Sequence, residues 1–161
     1  MAFAQEVSLP GNASSLTEAH GDWTVKCAVV SSSDGAKTKR CSLSQQQVAQ
    51  QTGQRALAIE LTTASEGASG SLVLPFGLAL ERGVTYQLDD GPIGATQTFR
   101  TCLPVGCVVD VTFDAGTLAS FRSGKQLQVT ATADGGQEMI FSISLSGFSS
   151  ALDRVVALLE S

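Results

Sequence analysis

The chain has 161 residues, of which 43% are hydrophobic and 16% charged, with a formal net charge of −5. That length suits one domain with a real core, and the composition is too apolar and too weakly charged for disorder. The acidic balance argues against a nucleic-acid partner, which needs a basic face to displace counterions from phosphates, and no polybasic segment is present to hold an anionic membrane. No apolar run approaches the roughly 20 residues that span a bilayer as a helix.

At the N-terminus, Ala2-Phe3-Ala4-Gln5 has the small-x-small form of a signal-peptidase site with cleavage after Ala4. The basic and apolar regions that should precede it are missing, so the expected reading is a chain that starts inside a signal peptide, with Met1 as an added start. Residues 5–20, with Pro10-Gly11-Asn12 and a Ser/Thr cluster, are expected to continue as a flexible leader. Residues 1–20 are therefore assigned to the leader and 21–161 to a single domain.

From Gly21 onward apolar residues recur at period two, the pattern of half-buried strands. Trp23, Val25, Cys27 and Val29 share one face; Cys41, Leu43 and Gln45 follow a polar turn at 31–35. Leu57, Ile59 and Leu61 continue the pattern, then a short run at Leu72 and Leu74, then Val84, Tyr86 and Leu88 up to the turn Asp89-Asp90-Gly91-Pro92. Segments 95–103, 106–113, 125–133 and 138–146 also read as strands, and the small polar stretch 62–71 as a mobile connection. Two segments break the period: Asp114 is placed to cap a short helix ending near Gly124, and 148–159 sets Phe148, Leu152, Val155, Val156 and Leu159 at helical spacing. About nine short strands with frequent turns predict an antiparallel β-sandwich with one or two short helices, one of them C-terminal.

The chain has four cysteines, which in an oxidising compartment read as two bridges, although three pairings exist. Proximity in sequence favours Cys27–Cys41 and Cys102–Cys107. A four-thiolate zinc site would use C-x2-C knuckles, and neither spacing is one.

These features occur in an order that resembles the invasion-associated locus B family of exported bacterial proteins. The match begins at Gly21-Asp22-Trp23 with Cys27 four residues on, and continues through Cys41-Ser42-Leu43-Ser44-Gln45, Leu74-Pro75-Phe76-Gly77, Gly83-Val84 and Asp89-Asp90-Gly91. Phe99-x-x-Cys102-x4-Cys107, with its Gly106-Cys107 pair, is the most specific element, and Phe141-Ser142 and Gly147-Phe148-x-x-Ala151 close the match. The resemblance implies a β-rich envelope or secreted protein, associated in pathogens with entry into host cells. The family supplies no catalytic motif to carry over.

Catalysis finds little support in the residues. His20 is the only histidine, and at the edge of a leader it is poorly placed to be oriented against a nucleophile. Cys102 and Cys107 are joined by Leu-Pro-Val-Gly between two apparent strands, which reads as a stapled hairpin and not as a helix-start C-x-x-C redox pair. Asp89-Asp90-Gly91 with Asp110 or Asp114 lacks the calcium-loop pattern and reads as a turn. Glu60, Glu66, Glu81 and Glu138 show no spacing that would pair two carboxyls across a cleft. The segment Leu74–Leu80 is strongly apolar yet broken by Pro75 and Gly77, which makes Leu74, Phe76, Leu78 and Leu80 the candidate contact patch. The expectation is a non-catalytic binding protein, periplasmic or secreted, without metal or cofactor, for an unidentified protein or envelope component. A small-ligand carrier is the second reading, and a thiol-redox or other envelope enzyme the third.

Overall fold

The computed structural model describes residues 7–48, 55–64 and 66–160, so the proposed cleavage site at 2–5 lies outside the described residues. Those residues form ten strands and two α-helices. The strands are β1 (Ser15–His20), β2 (Trp23–Ser31), β3 (Lys37–Val48), β4 (Arg55–Ala64), β5 (Gly67–Leu74), β6 (Val84–Leu88), β7 (Thr101–Leu103), β8 (Gly106–Asp114), β9 (Gln126–Thr132) and β10 (Glu138–Ser144). The helices are α1 (Ala115–Ser123) and α2 (Phe148–Glu160). One sheet has seven strands in the order β1-β2-β3-β4-β5-β8-β7, the other three in the order β10-β9-β6, and neighbours pair antiparallel throughout. This is the expected β-sandwich with a C-terminal helix, its second layer shared between a small sheet and two helices.

Alternation sets the core. Trp23, Val25, Leu43, Leu57, Leu61, Leu72, Val109 and Val111 all turn inward and are buried. α2 lays its apolar stripe of Phe148, Ala151, Leu152, Val155 and Leu158 across the β1–β4 face. Asp114 caps α1 by accepting a 2.7 Å bond from the Thr117 amide, and Gly124 ends the helix as expected. A run of edge-to-face aromatic contacts ties the layers together, from Trp23 to Phe148 (5.4 Å), Phe121 (5.7 Å), Phe113 (4.9 Å) and Tyr86 (6.0 Å).

The two sheets join at the outer edge of β10. An edge strand leaves backbone groups unpaired, and here side chains from the large sheet satisfy them. The Gln45 amide accepts from Ser144 N (3.0 Å) and donates to Ser144 O (2.9 Å), copying a strand's pair of bonds. Trp23 Nε1 donates to the same carbonyl at 2.8 Å, and the Gln47 amide donates to Ser142 O. Asp22 completes the seam: its amide donates to Ser146 O (3.0 Å) and its carboxylate accepts from Ser144 Oγ (2.6 Å).

Three expectations need correction. The leader was expected to run to His20, but Leu9 is buried and Ser15–His20 pairs along β2. Its polar outward positions hid the alternation of Leu16, Glu18 and His20, which are half-buried. The stretch 62–71, expected to be a mobile loop, instead supplies the ends of β4 and β5, with Thr62 opposite Ser69 and Ala64 opposite Gly67. Its small residues are what close packing there requires, since a Cβ at Gly70 would lie 1.8 Å from the Glu60 carbonyl oxygen; residue 65 lies outside the described residues. The strand expected over 95–103 shrinks to β7, because residues 93–97 instead return along β6 through isolated bridges, Val84 to Gln97 and Gln87 to Ile93.

The cysteines form Cys27–Cys41 and Cys102–Cys107, each joining directly opposed residues of neighbouring strands. Cys27 and Cys41 are buried within the core, whereas Cys102 is exposed. Replacing Cys27 and Cys41 by Ala should cost about 3 kcal/mol, and replacing Cys102 and Cys107 about 2 kcal/mol, on loop-closure entropy. In a reductant titration followed by thiol labelling, Cys102–Cys107 should open first and Cys27–Cys41 only with global unfolding. The reverse order would contradict this assignment of the frame.

Candidate functional site

The stapled hairpin of β7 and β8 sits at one end of the large sheet. Leu74 of β5 pairs with Cys107, so the chain leaving β5 as Pro75-Phe76 runs beside the hairpin tip Leu103-Pro104-Val105-Gly106. Gly106 makes that approach feasible: its φ is +142°, and a Cβ there would lie 2.4 Å from the Leu74 carbonyl oxygen. Gly77 then turns the chain, with its carbonyl accepting from the Asp134 amide (2.8 Å), and Leu78 bridges to Ala133.

Of the four residues in the expected patch, Leu74 and Leu78 are buried and belong to the core, while Phe76 is 61% and Leu80 42% exposed. Leu74 takes an inward position of β5, which ends there; beyond it Gly77, at φ +93°, turns the chain and Leu78 is drawn in by its bridge to Ala133, while Phe76 and Leu80 stay outside. Two side chains absent from the expected patch stand beside Phe76, namely Val105 at 56% and Leu103 at 45% exposure. The signal for them was present in Leu-Pro-Val between the cysteines, three apolar residues at a hairpin tip where polar ones are usual. By the register of Leu74 with Cys107, Phe76 emerges next to Leu103 and Val105 on the cross-linked hairpin, whereas Leu80 opens a short 3-10 turn, Leu80–Arg82, that packs on β9.

A second cluster joins β1 to α2. His20 Nε2 lies 3.0 Å from Glu18 Oε1 and Nδ1 lies 2.6 Å from Ser150 Oγ. A carboxylate only accepts, so in the neutral ring Nε2–H donates to Glu18 and Nδ1 accepts from the Ser150 hydroxyl. The serine, imidazole and carboxylate line up as in a nucleophilic relay, a juxtaposition that the leader assignment hid. Its balance of charge is different, however. Arg154 holds both Glu18 oxygens at 2.9 Å, so the carboxylate is already matched by a guanidinium and has little charge left to stabilise an imidazolium. Ser150 and Arg154 are one turn apart on α2, and together they clamp that helix to β1.

The Arg154 guanidinium, helped by His20, holds the Glu18 carboxyl at about 2, below its ordinary 4.5. A depressed carboxyl contributes stability above its unfolded value, and that contribution is lost as pH falls from about 4.5 through about 2. The Glu18→Gln variant should therefore be less stable than the parent at pH 6 and converge with it at the acid end of that window. Urea unfolding at both ends checks it; a constant difference would contradict the ion pair's role.

The remaining acidic candidates serve the frame. Asp89, at φ +48°, accepts from the amides of Lys125 (3.1 Å) and Gln126 (3.0 Å). Asp110 pairs with Arg100 at 3.0 Å, and Asp114 caps α1. Glu60, Glu66, Glu81 and Glu138 lie exposed on separate elements: β4, the β4–β5 turn, a short 3-10 turn and β10. Among the described residues no three His, Cys, Asp or Glu side chains converge as a metal cage would require.

The fold is that of a small antiparallel β-sandwich protein with two cross-strand disulfides and two helices. The chain belongs to the invasion associated locus B (IalB) protein family, whose profile matches residues 23–156. It is 46% identical over 159 residues to an invasion protein B homologue of Brucella abortus (strain 2308), covering 98% of this chain and 87% of the relative. It is 36% identical over 171 residues to invasion protein B of Bartonella bacilliformis, covering 98% and 89%. The crystal structure of invasion associated protein b from Bartonella henselae superposes with a TM-score of 0.80 at 33% identity, over 90% of this chain and 97% of that one. The family is named for invasion and not for an enzymatic reaction.

Proposed function

We propose that the protein is exported, to the periplasm or beyond the cell, and acts there as a non-catalytic binding protein whose contact surface is the apolar stapled end. The observation that carries this reading is the exposure of Phe76, Leu103 and Val105 on and beside a hairpin closed by Cys102–Cys107. Exposed apolar side chains gathered on a rigid element are the signature of an interaction surface, because the ordering cost of binding has been met on folding. Disulfide cross-links fit an oxidising compartment. The partner is a protein or envelope component with a complementary apolar surface, and the relatives' names, invasion protein B and its homologue, support a part in invasion.

Phe76→Asp tests the reading. Phe76 is 61% exposed, so the change should alter stability by no more than about 0.5 kcal/mol. It should weaken capture of the envelope or host-surface partner by roughly thirty-fold, the effect of losing a central aromatic anchor worth about 2 kcal/mol. Unchanged capture by a folded variant, or a variant that unfolds, would sink the proposal.

A further inference from the structure

Behind the return segment 89–97 the small sheet, β8 and α1 enclose a cleft of about 340 Å³, within the lower range of small-ligand sites. Its wall is apolar at Leu88, Phe113 and Phe121, with Gln97, Thr112 and Thr117 as further polar residues and no charged residue in the lining. Tyr86 also lines it, at the end of the aromatic run from Trp23. The Tyr86 hydroxyl is shut off from solvent and meets no hydrogen-bond partner. Other candidate polar groups of this protein are engaged: Gln45 in the seam, Asp89 and Asp114 in caps, Glu18 in its ion pair. A buried hydroxyl left alone costs stability, so an orphan beside a cleft marks a place where a ligand has something to gain.

We infer that this cleft is a binding site for a small uncharged molecule that combines one apolar ring or short chain with a hydrogen-bonding oxygen or nitrogen for Tyr86. The apolar part lies against Leu88, Phe113 and Phe121. Burial pushes the phenol well above its ordinary range, so the group acts as a neutral donor or acceptor and carries no charge to be matched. The absence of charged lining residues excludes carboxylates, phosphates and ammonium ions, whose desolvation nothing there would offset. The lip is the segment around Pro92, Gly94 and Ala95, tied to β6 by Gly94 N to Tyr86 O (2.9 Å) and Gln97 N to Val84 O (2.7 Å). This site lies apart from the stapled end and stands or falls without it.

Acetophenone, which carries a ring and one acceptor, is the probe, titrated into the full chain and followed by amide NMR shifts; ethylbenzene is the control without an acceptor. Acetophenone should shift amides of residues 86, 94–97 and 112–117. Tyr86→Phe should weaken acetophenone about five-fold, the worth of one neutral hydrogen bond, and leave ethylbenzene unchanged. The same variant loses the unpartnered hydroxyl and should unfold no earlier than the parent. Ala95→Trp, at the exposed lip, should abolish the shifts with the rest of the spectrum intact, which keeps the test decisive if Tyr86→Phe folds poorly. Absent or scattered shifts, equal acetophenone affinity in the Tyr86→Phe protein, or full binding in Ala95→Trp would each overturn the inference.

Discussion

Trp23→Ala should be among the most damaging single substitutions in the protein, costing about 4 kcal/mol. Trp23 is buried to 1% exposure, packs edge-to-face on Phe148 at 5.4 Å and donates Nε1 to Ser144 O at 2.8 Å. Truncation removes the ring that seats α2 and opens a void at the head of the aromatic run. For a domain of this size the loss corresponds to a fall in Tm of roughly 8–16 °C. Trp23→Phe keeps much of the packing and removes the donor, so it should cost about 1–2 kcal/mol. Trp23 is the only tryptophan, so calorimetry or circular dichroism must report on both variants. A loss below 1 kcal/mol for Trp23→Ala would mean that the seam does not depend on this side chain.

Gln45→Leu should also destabilise the protein, although it replaces a polar residue by an apolar one in the core. Gln45 is 4% exposed, and its amide meets both the N–H and the carbonyl of Ser144. Leucine would fill the volume but leave the Ser144 amide without an acceptor, at a cost of about 2 kcal/mol. The carbonyl keeps its bond from Trp23, so the two positions are coupled. Trp23→Phe combined with Gln45→Leu should cost about 1 kcal/mol more than the sum of the singles, because only the double variant orphans the Ser144 carbonyl. Chemical denaturation of the four proteins measures it, and strict additivity would contradict the shared carbonyl.

This seam also explains what was legible in the sequence. Gly21-Asp22-Trp23 and Cys41 to Gln45, which carry the family resemblance, meet at residues 144–146, where Asp22, Trp23 and Gln45 satisfy the end of β10. Asp89-Asp90-Gly91 fastens the start of β9, and Gly106-Cys107 lets the hairpin close on Leu74. The recognisable motifs are therefore fasteners. They reveal the fold because β-sheet edges and turns have few solutions, and for the same reason most of them say nothing of function.

What was missed follows from the same physics. β1 escaped notice because its outward residues are polar and its inward ones include Glu18 and His20, half-buried through partners 130 or more residues away. Such partners have no local signature. The apolar end was half legible: the run 74–80 signalled it, but only the register of Leu74 with Cys107 shows that Phe76 emerges beside Leu103 and Val105 while Leu74 and Leu78 turn inward. The Tyr86 cleft had no signature at all, since it is built from β6, β8, α1 and the return segment between β6 and β7.

Site-specific photo-cross-linking on intact producing cells distinguishes a contact surface at the stapled end from one elsewhere on the protein. A benzophenone amino acid placed at Phe76 or Val105 should give one reproducible adduct with an envelope or host-surface component. The same group at Gln46, on the exposed outer face of β3, should give none. Adducts of equal yield from both faces, or from Gln46 alone, would contradict the account.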